Sequence, residues 1–378
     1  MKSPIRWGAI VAVCACSACV AGVGCGGAEE PAGKGGSCPA NCSPSDGGDA
    51  GGAIAAPSCA PGGPGMTDCG GGSESCCSSP LVEGGTFFRT YASSSDGATD
   101  QADPATVSTF RLDKYEVTVA RFRQFLRAAA AGWQPAPGSG KHAHLNGGKG
   151  LANGSSWASS PYEPGWDPTN DDLVSPTNPA NFTCDPPDAP FATLTAPPGT
   201  GEKLPVTCVN SDEAWAFCIW DGGFLPSEAE WEYAAAGGSQ QREYPWGDAA
   251  PGTASQYAVY ACQYPSDSAR CTGLSNIAPV GTAALGVGAW GQLDLDGNVA
   301  EWTLDYGDNL LYVDPCVDCA YLTPSPDVVA TPYLYRMVRG SSFDDQSSPP
   351  IYLLPPSRNY ASARGNDPDI GFRCARSP

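Results

Sequence analysis

Histidine is nearly missing from this chain. His142 and His144 are the only two among 378 residues, which excludes a metal centre built from three or more imidazoles. Basic residues are also scarce: 20 Lys and Arg stand against 40 Asp and Glu, a formal charge of −20. Such a surface repels nucleic acid and anionic lipid headgroups and favours cations. The one long apolar stretch, Trp7 to Val23, is short for a membrane span and rich in Gly, Ala and Cys. From residue 26 to 75 there is no aromatic side chain and a single Met, so that segment cannot bury enough apolar surface to fold alone and reads as a tether.

Other residue types are plentiful. The 47 Gly and 37 Pro mark a loop-rich chain, and the 10 Trp, 15 Tyr and 11 Phe supply a core. These aromatics lie almost entirely after residue 86. Eighteen cysteines beside two histidines point to disulfides in an oxidising compartment rather than to metal clusters. The N-terminus agrees: Lys2 and Arg6 precede the apolar stretch, which ends at Gly24-Cys25-Gly26-Gly27. Residues 1–25 are expected to be a signal peptide, with Cys25 as the lipidated first residue of an exported lipoprotein. Gly22 stands where such signals usually carry a branched residue, and Cys16 and Cys19 are rival sites. Fourteen cysteines lie downstream of Cys25, an even number as full pairing requires.

A folded domain is expected over 76–378, opening with a strand-like run from Leu81 to Arg89 and a second from Thr109 to Val117. Thr118 then caps a helix whose Val119, Phe122, Phe125 and Leu126 share one face. Residues 131–203 read as an inserted set of loops carrying Cys184, with His142 and His144 on a solvated stretch of it. A further helix starts after Asn210 or Ser211 and turns Ala214, Trp215, Phe217 and Cys218 inward. The next opens with the capping box Ser227/Glu230 and stops at Gly237-Gly238. Capping also accounts for the acidic residues Glu228, Glu230 and Glu232 at its start. In the insertion, Trp157, Tyr162 and Trp166 are expected to pack in loops rather than to stack on a ligand.

Eight segments then fall into a recognisable order. Gly84-Gly85-Thr86-Phe87, Tyr115-Glu116-Val117-Thr118, Pro205-Val206-Thr207-Cys208-Val209, Leu225 to Ala234, Tyr244-Pro245-Trp246-Gly247, Asp296-Gly297-Asn298-Val299-Ala300-Glu301-Trp302, Arg339-Gly340-Ser341-Ser342-Phe343 and Gly371-Phe372-Arg373-Cys374-Ala375 resemble the motif succession of the formylglycine-generating enzyme (sulfatase-modifying factor) family. The resemblance covers roughly 80–378 and implies an α+β, loop-rich domain of C-type-lectin-like fold, with few helices and short antiparallel strands. In active members a pair of cysteines binds copper and oxidises a substrate cysteine, soft thiolates being suited to Cu(I). Here the corresponding neighbourhoods read Ser342-Phe343-Asp344-Asp345 and Leu354 to Tyr360, and no cysteine lies between Cys319 and Cys374. Neither copper nor iron is therefore expected.

The same resemblance implies a calcium loop with Asp294, Gly297, Val299 and Glu301 as ligands, Ca²⁺ suiting hard oxygen donors. A tight acidic turn before a buried Trp302 would also account for these residues. The family's second calcium loop falls near Tyr257 to Gly273, where Cys262 and Cys271 suggest a disulfide instead. The resemblance further implies a Cys218–Cys374 disulfide. Cys316-Val317-Asp318-Cys319 has the spacing of a redox or zinc half-site, but without a second pair it reads as a loop disulfide. Two functions remain open. One is a cell-surface or periplasmic module that binds a polar ligand, protein or peptide, meets no nucleic acid, and touches the membrane only through its lipid. The other is an enzyme with an unfamiliar site, for which Asp344, Asp345, Arg358, Asn359 and Arg364 around the former catalytic cleft are the candidates.

Overall fold

Side-chain caps set where the helices begin. Thr118 accepts the backbone N–H of Arg121 and starts α1, Val119–Ala130. Asn210 and Glu213 form a reciprocal capping box at α2, Ser211–Trp220. Ser227 and Glu230 form another at α3, Glu228–Ala235, after which Gly237 turns left-handed. The buried face of α1 is Val119, Phe122 and Phe125, with Leu126 at its margin. Phe122 and Phe125 pack on Phe217 of α2 with ring centroids 5.8 Å apart in each case. This is a computed structural model, and it describes residues 56–91, 101–174, 182–184, 188–194, 199, 201–266, 268–307, 312–329, 334–346 and 351–378.

The strands are short and distributed over four small sheets. Among them are β1 (Leu81–Val82), β2 (Gly85–Thr90), β3 (Ala102–Val107), β4 (Phe110–Leu112) and β5 (Ala152–Asn153). Later in the chain come β6 (Ala300–Tyr306), β7 (Cys316–Val317), β8 (Cys319–Ala320) and β9 (Tyr335–Arg339). The last three are β10 (Asn359–Ser362), β11 (Ile370–Gly371) and β12 (Ala375–Arg376). The sheet that positions the site has the order β10-β9-β6-β11, antiparallel except for the parallel pairing of β11 with β6.

Strand β6 shows how this sheet is held. Its even-numbered residues Ala300, Trp302 and Leu304 enter the main apolar cluster with Phe122, Phe217 and Phe372. Its odd-numbered residues are polar and also buried, and each has a partner. Glu301 bonds Arg373 and the Trp231 indole, the Thr303 hydroxyl donates to the Met337 carbonyl, and Asp305 accepts the N–H groups of Glu228 and Tyr321.

Residues 56–75 depart from the expected tether, which reached to 75. The Ser58 N–H donates to Asp221, and its hydroxyl accepts from Arg121. Cys59–Cys77 and Cys69–Cys76 are disulfides, and Met66 packs on Ala120 and Tyr115. Two covalent loops and buried partners supply the order that the composition alone does not. The insertion is also more structured than its Gly- and Pro-rich sequence suggests. Trp166 is buried against Trp215 at 5.2 Å, whereas Trp157 is exposed. His142 is fully buried and not solvated as expected: Nδ1 faces Glu163 and Nε2 lies 2.9 Å from Glu230. Burial opposes the imidazolium, but the Glu230 and Glu163 carboxylates raise His142 to about 10. The expected signal peptide with Cys25, and the tether up to residue 55, lie outside the described residues.

Candidate functional site

The site is built where β9 runs out. Arg339, its last residue, is fully buried and pairs with Glu232 of α3 at 2.6 Å. The same guanidinium donates to the Ser357 and Pro355 carbonyls, which ties the segment before β10 to α3. Gly340 follows with φ 74°, and a Cβ there would fall 2.8 Å from the Leu295 carbonyl oxygen. Only glycine makes this turn without displacing its neighbours. The next residues are fixed by their own side chains: Ser341 Oγ donates to Asp345 at 2.9 Å, and Ser342 Oγ to Asp344 at 2.7 Å.

The turn and β10 enclose an open cleft of about 260 Å³, lined among others by Ser341, Ser342, Asp344, Asp345, Asn359 and Asp369. Leu353 and Leu354 do not fill it, because they pack with Tyr244, Ala258 and Tyr260. Tyr352 stands at its wall with its ring part-exposed. Asp369, from the loop before β11, was not singled out in the sequence. Burial, then the neighbouring Asp344 and Asp367, push its carboxyl up to about 7. Behind the turn Asp296 is enclosed, and burial pushes its carboxyl well up.

Arg358 lines the cleft, but its Nε and one Nη each donate to Glu228 at 2.7 Å, and its guanidinium lies 3.9 Å from the Tyr312 ring centroid. Burial alone would raise the Glu228 carboxyl, and the Arg358 and Arg339 guanidiniums outweigh it. Glu232 goes the other way: burial lifts it to about 8 despite Arg339. Capping therefore accounts for Glu230 alone among the three acids of α3, and the other two answer Arg339 at the end of β9 and Arg358 just before β10. Of the five candidate cleft residues, Asp344, Asp345, Arg358 and Asn359 line one cavity. Arg364 is exposed and is not among the lining residues.

All twelve cysteines from Cys59 onward are joined in six disulfides, Cys218–Cys374, Cys262–Cys271 and Cys316–Cys319 among them. The described residues thus hold no free thiol to bind a soft metal. Both carboxylates named for calcium already accept hydrogen bonds from the protein. Both Glu301 oxygens face Arg373 at 2.6–2.9 Å, and one also accepts the Trp231 indole N–H. Asp294 accepts the Gly281 N–H, and its carbonyl and that of Leu293 accept from Arg373. Val299 offers its N–H to Glu116. Gly297 takes φ 86°, with a hypothetical Cβ 2.7 Å from the Val259 carbonyl oxygen. The positive charge in this segment is the guanidinium, and no group of three or more acidic, His or Cys side chains converges to hold a metal ion among the described residues. No helix among them is long and apolar enough to cross a membrane.

A family model for the sulfatase-modifying factor enzyme 1-like domain matches residues 72–378. The inactive C-alpha-formylglycine-generating enzyme 2 of Mus musculus is 28% identical over 317 residues, covering 78% of this chain and 84% of that protein. The formylglycine-generating enzyme of Streptomyces coelicolor is 33% identical over 174 residues, 45% of this chain and 52% of that enzyme. This chain therefore spans about half the length of that active relative. The solved structure of PvdO from Pseudomonas aeruginosa aligns at 19% identity with a TM-score of 0.48, covering 79% of this chain and 93% of that one.

Proposed function

Since this chain belongs to the sulfatase-modifying factor (formylglycine-generating enzyme) family, we propose that it is a non-oxidative member whose cleft binds a cationic ligand. The observation that carries this reading is the acidic cleft itself, where Asp344 and Asp345 stand in the segment that provides a copper-binding thiol in active members. Three carboxylates, of Asp344, Asp345 and Asp369, share this cavity with one guanidinium. That guanidinium, of Arg358, is paired with the buried Glu228. An alkylammonium or guanidinium group would add positive charge to a cavity lined by three carboxylates and one guanidinium, and the part-exposed Tyr352 ring offers it a π-face. The six disulfides suit an oxidising compartment outside the cytoplasm. Anchoring through a lipid on Cys25 belongs to the same proposal. A diacylglyceryl mass on the mature N-terminal peptide supports it, and an intact unmodified Cys25 removes it.

Binding is tested by calorimetry on the full chain with tetralysine as the cationic probe and tetraglutamate as control. Tetralysine is expected to bind, to weaken with added salt, and to lose about tenfold or more in affinity in Asp344→Asn/Asp345→Asn, which removes two charge-assisted contacts. Equal affinity for both peptides, or none for tetralysine, refutes the cationic ligand. Stoichiometric copper in the purified protein refutes the non-oxidative reading.

A further inference from the structure

A second concavity lies away from the acidic cleft and has the opposite chemistry. Segments 253–256, 263–266 and 282–285 wall a cavity of about 520 Å³, within the size range of small-molecule sites. No charged side chain lines it, although the chain as a whole carries −20. Its walls present hydroxyls and carboxamides, among them those of Ser255, Gln256, Gln263 and Thr282, beside the Tyr264 ring and the half-exposed Leu285.

Two of these polar groups are unanswered. Ser255 is 8% exposed, and its Oγ, like the Gln263 Oε1, is buried with no hydrogen-bond partner. A buried acceptor left unpaired is destabilising, so the arrangement suits a ligand that returns hydrogen bonds here. Part of the main chain of the walls is bonded within the protein: the Leu285 N–H donates to Gln256, that of Gln263 to Tyr260 and that of Ala284 to Thr282. The wall is also held in place. Cys262, next to Gln263 of the wall, is joined to Cys271, the Asn276 amide donates to the Tyr264 carbonyl, and the Ala261 and Cys262 N–H groups donate to the Asp345 and Phe343 carbonyls.

We infer that this pocket binds a neutral, hydroxyl-rich ligand of the saccharide class. Uncharged donors and acceptors match sugar hydroxyls, and the Tyr264 and Leu285 surfaces match the apolar faces of the ring.

Maltotetraose, cellotetraose and chitotetraose are titrated separately into the full chain at millimolar concentration, with triglycine as a neutral peptide control, and followed by saturation-transfer NMR and calorimetry. At least one sugar is expected to bind, with affinity reduced about tenfold or more in Ser255→Ala/Gln263→Met. Leu285→Arg gives a second reading from an exposed rim position if the double variant is unstable, and the same loss is expected there. Failure of all three sugars to bind the folded wild-type protein overturns the inference. So does undiminished binding by both variants, or triglycine binding as well as any sugar.

Discussion

Two acidic regions of this molecule, about the same in residue type, differ in who answers the charge. Around Arg373, the carboxylate of Glu301 is met by the guanidinium and an indole N–H, while Glu116 accepts from the Asn298 amide and the Val299 N–H. Burial, with Asp294 and Glu301 close by, pushes the Glu116 carboxyl well up. The region is closed: three carboxylates share one guanidinium there, and each also accepts hydrogen bonds from buried donors. In the cleft, Asp344 and Asp345 bond serines of their own turn, and the nearby Arg358 is paired with Glu228. The carboxylates of Asp344, Asp345 and Asp369 line an open cavity there. The lesson is that acidic residues mark a candidate ligand site where they line a cavity, and a scaffold where they are enclosed among donors.

The largest effect that tests this contrast is Arg373→Met, which leaves Glu301 buried and unpaired. A loss of about 3–5 kcal/mol is expected by urea denaturation, against less than about 1 kcal/mol for Asp344→Asn/Asp345→Asn. Similar losses for the two would erase the distinction. Next in size is pH. The Asp369 carboxyl rises from 3.8 to about 7 on folding, so the native state holds that proton more tightly. Its stabilising contribution is complete below about pH 4 and is lost as pH rises through about 7. Asp294 and Asp305, each lifted to about 6, slope the same way. Asp369→Asn should flatten the fall in stability between pH 4 and 7 in a melting series, and should also flatten a gain in tetralysine affinity over that window. An unchanged slope would place Asp369 outside the cleft's electrostatics. The smallest expected effect is that of calcium. Excess calcium or a chelator should leave the melting temperature nearly unmoved. A rise of about 5–10 °C, the size that linkage gives at a hundredfold excess over Kd, would reveal a cation cage that the Arg373 cluster does not present.

Local features were the legible ones. Thr118 and the Ser227/Glu230 pair could be assigned, and Asn210 narrowed to one of two positions, because a cap and its partner lie three residues apart, within one turn of chain. The cleft candidates were legible for a different reason: the resemblance locates the segment, and the absence of cysteine there directs attention to Asp344 and Asp345. Long-range pairings left no such trace. Glu301 meets Arg373 across 72 positions, Arg358 meets Glu228 across 130 and His142 meets Glu230 across 88. No spacing rule joins residues so far apart. Glu228 shows the resulting ambiguity, since an acid in the first turn of a helix suits the macrodipole whether or not an arginine awaits it. Ser58 and Arg121 illustrate the same gap from the other side, because a Gly- and Pro-rich segment can still be ordered by disulfides and a buried guanidinium.

The Cys59–Cys77 bond has a mechanical meaning. A pull arriving from the N-terminal side reaches Cys59 and crosses directly to Cys77, so residues 60–76 bear no tension while the bond is oxidised. Its ends are 6.2 Å apart between Cα atoms, with 18 residues of separation along the chain. With this bond and Cys69–Cys76 both reduced, the same stretch could pay out to about 60 Å. The bond therefore withholds this stretch from the chain that leads into the domain, and makes its release depend on the redox state of the surroundings.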